Sequence, residues 1–158
     1  MPRIDIRNIS DRAYAWVFGI TPRLDASQEA VLLQTVDSFL AGWAAHGQPI
    51  TSAREVREGS FLVVAAENDT DRTGCSIDRL FGTLRRLESE LGISIVEASR
   101  VFYRTPDGNV AAASREEFRE RGDATTTVFD TTAESLGQIR SGSWERAARD
   151  SWHRALLT

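Results

Sequence analysis

The most constraining feature of this chain is a short apolar segment that is followed, after a polar loop, by a strongly amphipathic one. SFLVVAA covers residues 60–66, and IDRLFGTLRRLESEL covers residues 77–91. The first run predicts a strand, and the second predicts a helix because its apolar residues recur at helical spacing. These residues are Ile77, Leu80, Phe81, Leu84, Leu87 and Leu91. The fold must therefore contain a strand that is followed along the chain, after one loop, by a helix.

The N-terminal part of the chain predicts another strand followed by a helix. AYAWVFGI at residues 13–20 is rich in aromatic and β-branched residues, which favour a strand. Asp25 with Gln28 three residues later has the pattern of a capping box at a helix start. Apolar residues at helical spacing then predict an amphipathic helix over residues 26–45.

Three more strands are predicted in the middle of the chain. Residues 50–57 and 60–66 form two of them, and Glu58 with Gly59 suits a tight turn between them. ISIVEASRVFYR, residues 93–104, follows the amphipathic helix and is predicted to be the last strand of this unit.

The order of these elements is β-α-β-β-α-β, the ferredoxin-like split βαβ arrangement. We therefore predict an α+β fold in which residues 13–104 form an antiparallel sheet with both helices on one face. Residues 105–158 are predicted to be a C-terminal α/β extension packed on that core. The extension contains a hairpin strand at NVAAA, a strand at TTTVFD, and short helices that begin at Ser114 and Thr131. We expect residues 1–158 to form one domain.

Composition excludes several classes of function. All 19 basic residues are arginine, so the chain has neither a Walker A motif nor a lysine for Schiff-base chemistry. A net charge of −4 argues against a general nucleic-acid binder. One cysteine, no N-terminal apolar region and no long apolar stretch predict a cytoplasmic protein that neither is secreted nor enters a membrane. No cofactor is indicated, and nothing indicates an oligomeric state.

The single cysteine, Cys75, lies in TGCSID, where the second helix is expected to begin. The free N–H groups and the dipole of a helix N-terminus lower the pKa of a thiol and also attract anions. Gly74 would allow a ligand to approach closely, and Ser76 would offer a hydroxyl. In a ferredoxin-like sheet the first helix ends at the edge where the second begins, which would bring His46 near Cys75.

The leading interpretation is a small cytoplasmic binding or interaction domain with a site at the helix start, Gly74–Asp78. A small anionic molecule is the expected ligand, since amide N–H groups converge there. The acidic loop ENDTD argues against a highly charged one. The candidate ligand-binding residues are Trp43, Glu67, Gly74, Ser76, Asp78 and Trp152.

The alternative is a thiol-dependent enzyme in which Cys75 is the nucleophile and His46 the base, with Glu67 or Asp78 orienting the imidazole. Structural roles explain the same residues: a buried cysteine packs as a small apolar side chain, and Ser76 would cap the helix. No CxxC or HxxxH spacing points to a metal site.

Several short motifs resemble a family of small uncharacterised bacterial proteins whose members are often labelled ABC transporter ATPase. The motifs are GWAAHG, the strand that ends in Glu67, GCSID, VFD and DSW. The label implies a nucleotidase, which the absence of a Walker A motif contradicts. The resemblance supplies no catalytic residues. It implies that the positions to examine are Trp43, His46, Glu67, Gly74–Asp78, Ser151 and Trp152.

Overall fold

The computed structural model describes residues 3–45, 47–67 and 74–157, with the backbone alone at residues 45 and 74–76. The protein is of mixed α+β class, and its strands pair in antiparallel fashion within each sheet. Among the helices of these ranges, none is long and apolar enough to cross a lipid bilayer.

The first sheet has three antiparallel strands in the order β1-β5-β4. In chain order, the strands of the first half are β1 (Tyr14–Gly19), β2 (Ala44–Ala45), β3 (Gln48–Pro49), β4 (Ser52–Arg57) and β5 (Phe61–Ala66). The short strands β2 and β3 pair only with each other. The predicted strands at 13–20, 50–57 and 60–66 are confirmed to within two residues.

Strand β5 lies at the centre of this sheet and is buried on both faces. Its even-numbered side chains, such as Leu62 and Val64, pack against the helices, and its odd-numbered ones, such as Phe61 and Val63, face the opposite core. Burial on both faces removes the need for polar residues at alternate positions. This explains why FLVVAA, residues 61–66, is continuously apolar.

Helices α1 (Ala26–Ala41) and α2 (Gly74–Leu91) cover one face of the first sheet. The predicted capping box is confirmed: the Asp25 side chain accepts from Gln28 N–H, and the Gln28 side chain accepts from Asp25 N–H. The predicted end at residue 45 is wrong by four residues. Gly42 closes the last turn through a bond from its N–H to the Phe39 carbonyl.

Residues 93–104 do not form the single strand that was predicted. Ser94 makes one antiparallel bridge with Thr21, and only Val101–Arg104 forms a strand, β6, which belongs to the second sheet. The reason lies in Glu88, whose carboxylate accepts the N–H groups of Ile95 at 2.6 Å and Val96 at 2.9 Å. Those N–H groups are then not available to a ladder.

The second sheet is antiparallel and has the order β7-β6-β8-β9. Its further strands are β7 (Val110–Ala113), β8 (Thr127–Phe129) and β9 (Glu145–Ala147). The predicted strands at NVAAA and TTTVFD are confirmed. Helix α3 (Arg115–Arg121) has the expected capping box at Ser114, whereas α4 (Leu136–Arg140) begins after Ser135 instead of at Thr131.

The two sheets pack face to face through aromatic side chains. The Phe61 ring lies 5.2 Å from Phe102 and 4.8 Å from Phe129, between ring centroids. The far side of the second sheet is covered by α3 and by the 3-10 helix Trp152–Leu157. The layers are therefore helix, sheet, sheet, helix. Strand β1 is an edge strand of the first sheet.

Candidate functional site: the free edge of strand β1

Strand β1 is paired along its whole length on one side and only at its two ends on the other. Its inner neighbour is β5. On the outer side there are two isolated antiparallel bridges, Tyr14 with Ser135 and Thr21 with Ser94. Between these bridges the outer edge of the strand has no strand partner among the described residues.

The register shows which backbone groups face that open edge. Ile20 N–H donates to the Ser60 carbonyl at 2.7 Å, so the even-numbered residues of β1 bond to β5. In an antiparallel pair the alternate residues point away from the partner. The N–H groups of Ala15 and Thr21 do so, and they donate outward to Glu134 and Ser94.

Val17 and Gly19 belong to the same outward-pointing set. Neither residue has an outer backbone partner in the part of the chain that the structure describes. Two N–H donors and two C=O acceptors therefore face away from the sheet at its edge. Unpaired backbone groups of this kind are a template for another strand.

A cavity of 460 Å³ lies along this edge, and we call it the β1 cleft. Phe81 of α2 lines it on the helix side and Phe102 of β6 on the side of the second sheet, while residues 95–98, Arg100 and residues 131–134 close its ends. Gly19 is required here, because a β-carbon at this position would overlap the Phe102 ring. Glycine in a strand commonly marks such a close approach.

The β1 cleft carries three charged side chains, Glu97, Arg100 and Glu134. Hydrogen bonds from the hydroxyl and N–H of Ser99, with a smaller contribution from Arg100, hold the pKa of Glu97 below its usual value. Arg100 is half-buried, and its buried Nε–H has no acceptor among the described residues. The cleft thus offers a cation with an unpaired N–H donor beside backbone donors and acceptors.

The structure brings two predicted site residues, Trp43 and Glu67, to one end of the first sheet. Ile50 N–H donates to the Trp43 carbonyl and Glu67 N–H to the Thr51 carbonyl, each at 2.9 Å. Trp43 is 2% exposed and packs edge-on against Trp16 at 6.0 Å. Its ring is therefore part of the core, whereas Glu67 is half-buried.

The other members of the predicted helix-start site are only partly visible. The backbone of Gly74, Cys75 and Ser76 forms the first turn of α2, which places the cysteine at a helix N-terminus, and Asp78 is exposed on that helix. His46 and the side chains of residues 74–76 lie outside the described residues. The anion site and the Cys75–His46 pair therefore stay predictions.

Trp152 lies elsewhere, on the outer face of the second sheet. Its ring stacks on His153 at 3.9 Å, and the Arg115 guanidinium lies 5.5 Å from its centroid. The Ser151 hydroxyl contacts Nδ1 of the buried His153 at 2.7 Å. Burial lowers the pKa of His153 to about 4, so the imidazole is neutral in this packing.

Sequence reasoning did not identify Val17, Gly19 or Arg100 as site residues. The glycine within AYAWVFGI was the available signal, because a strand glycine often accompanies a close approach. Within the described residues, no group of three or more histidine, cysteine, aspartate or glutamate side chains is arranged to hold a metal ion.

No family model, no curated protein and no solved structure matches this chain. The resemblance to the small bacterial family therefore stays a prediction.

Proposed function

We propose that this protein is a small binding domain of the cytoplasm that recognises an extended peptide segment by adding it as a strand to β1. The observation that carries the proposal is the outward-facing N–H and C=O groups of Val17 and Gly19, which meet a 460 Å³ cavity. Strand addition uses such groups for affinity and the neighbouring side-chain pockets for specificity.

The arrangement of the first sheet supports this proposal. We interpret the sheet and its two helices as a ferredoxin-like unit whose fourth strand is reduced to the Ser94 bridge. The order Ser94-β1-β5-β4 and the two helices on one face agree with that interpretation. A bound segment would then take the place that a full fourth strand would occupy.

The dimensions of the β1 cleft set the length of the segment. Residues 16–20 lie between the outward hydrogen bonds of Ala15 and Thr21, which is about 17 Å of strand at about 3.3 Å per residue. Phe81 and Phe102 stand on either side of this edge, so a single extended chain fits better than the edge of another sheet. About five residues of the ligand would contact β1.

The site predicted at Gly74–Asp78 is a second proposal within the same binding role, and the thiol-dependent enzyme is its alternative. Iodoacetamide labelling of Cys75 against pH separates them. Labelling well below the free-thiol pKa of about 8.5, slowed in His46→Ala, supports the enzyme. Labelling that follows an ordinary thiol titration in both proteins removes it.

The strand-addition proposal is tested by selecting binders from a library of random peptides displayed on phage. Selected peptides are titrated into isotope-labelled protein, and the amide resonances of β1 are followed. The proposal predicts that the Val17 and Gly19 amides shift and become protected from hydrogen exchange. Binding that leaves these two amides unchanged would overturn it.

A matched pair of variants isolates the backbone contribution. Val17→Pro removes the outward N–H without breaking a bond to β5, since proline is tolerated at a sheet edge when its nitrogen faces away from the ladder. It also truncates the valine side chain and fixes φ. Val17→Ala retains this N–H and is the control. We expect Val17→Pro to weaken binding of the selected peptide about tenfold relative to Val17→Ala, as for one lost hydrogen bond in a desolvated site. Equal affinities for the two variants would contradict strand addition.

A further inference from the structure

Arg100 lies where the chain crosses from the edge of the first sheet to β6. It lines the β1 cleft and also a second, adjoining cavity of 350 Å³, whose lining includes Ser94. Because Ser94 bridges Thr21, this places Arg100 toward the Thr21 end of the open edge.

Arg100 differs from the other half-buried arginines of the described chain. Each of the others has a carboxylate oxygen within 4 Å; they are Arg3, Arg54, Arg57, Arg104 and Arg146. Among the described residues no carboxylate oxygen lies within 4 Å of Arg100, and its buried Nε–H has no acceptor. Glu97 and Glu117 attract the guanidinium only through longer-range electrostatics, so this N–H donor is left unpaired in a half-buried position.

An unpaired buried donor is unfavourable, and a charged one more so. A guanidinium matches a carboxylate in two parallel hydrogen bonds, and such charge-assisted bonds are stronger than neutral ones. A ligand that brings a carboxylate to this position would satisfy the Nε–H that has no acceptor among the described residues. Glu97 and Glu134 also line the cleft, so a second negative charge on the ligand would be repelled.

We propose that the segment bound in the β1 cleft carries one carboxylate, which pairs with Arg100. This proposal rests on the strand-addition function. The carboxylate has two possible sources, an acidic side chain or the C-terminus of the segment. In either case the carboxylate belongs to the last residue of the segment, and its place at the Thr21 end requires a segment that runs parallel to β1.

The experiment uses four pentapeptides and the full chain. Two have blocked ends and differ only in the last residue: acetyl-Val-Thr-Val-Thr-Glu-amide and acetyl-Val-Thr-Val-Thr-Gln-amide. The other two have the sequence acetyl-Val-Thr-Val-Thr-Val, one with a free C-terminal carboxylate and one amidated. Dissociation constants are measured by titration into isotope-labelled protein, with the Val17, Gly19 and Arg100 Nε–H resonances observed.

The proposal predicts that one carboxylate-bearing peptide binds about tenfold more tightly than its neutral counterpart and shifts the Arg100 Nε–H resonance. Tighter binding of the glutamate peptide identifies an acidic side chain, and tighter binding of the free valine peptide identifies a C-terminus. In Arg100→Gln the preference is expected to disappear while the neutral peptides bind as before. Arg100→Lys, which keeps the charge but not the fork, should restore only part of it.

Two outcomes overturn the inference and are distinguishable. Equal affinity of charged and neutral peptides, with Val17 and Gly19 shifted in both cases, removes the carboxylate and leaves strand addition standing. Absence of any shift at Val17 and Gly19 with all four peptides, and with peptides from the library, removes both proposals. The peptide comparison is made on the unsubstituted protein, so it does not depend on the variants being folded.

Discussion

The two edges of the first sheet are protected in different ways. At the β4 edge the chain's own N-terminal segment pairs with the strand, as Ile4 N–H donates to the Ser52 carbonyl at 2.8 Å. Arg54 makes two hydrogen bonds of 2.8 and 2.9 Å with Asp37 there. At the β1 edge, Val17 and Gly19 have no outer backbone partner among the described residues, and none of those residues places a carboxylate within 4 Å of Arg100.

This difference shows how one sheet can be closed at one edge and open at the other. Charged side chains on an edge strand discourage pairing with other chains, and β4 reads SAREVR. Strand β1 reads YAWVFG, with no charged residue. Access to it is limited instead by neighbouring parts of the chain. These are Phe81, Phe102 and the segments 95–98 and 131–134.

The largest effect is expected at Phe61 of the central strand, which supports both edges. Phe61 is fully buried and contacts Phe102, Phe129 and Trp144 between the sheets. Phe61→Ala should lower the free energy of unfolding by about 3–5 kcal/mol because it removes a large buried ring and leaves a cavity. Urea denaturation measures this.

The control for Phe61→Ala is Val31→Ala on the exposed side of α1, where Val31 is 39% exposed. That change should alter the free energy of unfolding by less than about 0.5 kcal/mol. A loss below about 1 kcal/mol for Phe61→Ala would show that the two sheets are not packed as described.

Glu88→Ala tests the end wall of the β1 cleft. The substitution removes the carboxylate that accepts the N–H groups of Ile95 and Val96, and Ile95 is buried. We expect a loss of about 2 kcal/mol, since two backbone donors lose a charged acceptor. Glu88→Gln keeps an acceptor oxygen and should lose less. Equal loss for the two substitutions in thermal denaturation would contradict this role for the carboxylate.

A comparison of Arg54→Gln with Arg100→Gln sharpens the contrast between the edges. Arg54→Gln leaves Asp37 without its main partner and should cost about 1 kcal/mol at neutral pH. Arg100→Gln removes a donor that is already unpaired, so the free energy of unfolding should change by less than about 0.5 kcal/mol. Chemical denaturation of both variants in the same buffer gives the difference, and a larger loss for Arg100→Gln would reverse the comparison.

The smallest effect concerns pH at the β4 edge. The hydrogen bonds from Arg54, helped by Arg3, hold the pKa of Asp37 below its usual value. A lowered pKa in the folded state stabilises the protein above the unfolded value of about 3.9 and loses that effect as pH falls through the folded value. Asp37→Asn should therefore flatten the acid limb of the stability profile by under about 1 kcal/mol. Identical acid limbs for both proteins would refute the contribution.

Local sequence signals predicted the elements whose determinants are local. Capping boxes at Asp25 and Ser114 place two helix starts correctly, because both partners lie within one turn. The wrong prediction of a single strand at residues 93–104 has a non-local cause. Glu88 takes the backbone donors of Ile95 and Val96, and no periodicity in the strand itself records that bond.

The residues of the candidate site also differ in whether local sequence signals could predict them. Cys75 at a helix N-terminus was predictable, since a strand followed by an amphipathic run sets where that helix begins. Arg100 was not, because arginines look alike in a sequence and only their surroundings decide whether a carboxylate lies nearby. Gly19 was a visible signal whose meaning depended on the position of Phe102.

By itself, the sequence determined the α+β class, the apolar centre of the first sheet and the exclusion of lysine chemistry, since these follow from composition and short-range periodicity. Only the tertiary structure decided that the outward groups of Val17 and Gly19 face a cleft and that the buried Nε–H of Arg100 has no acceptor among the described residues. Both facts concern which distant segments approach each other. Such approaches depend on the packing of whole layers, and a local pattern of residue types does not contain that information.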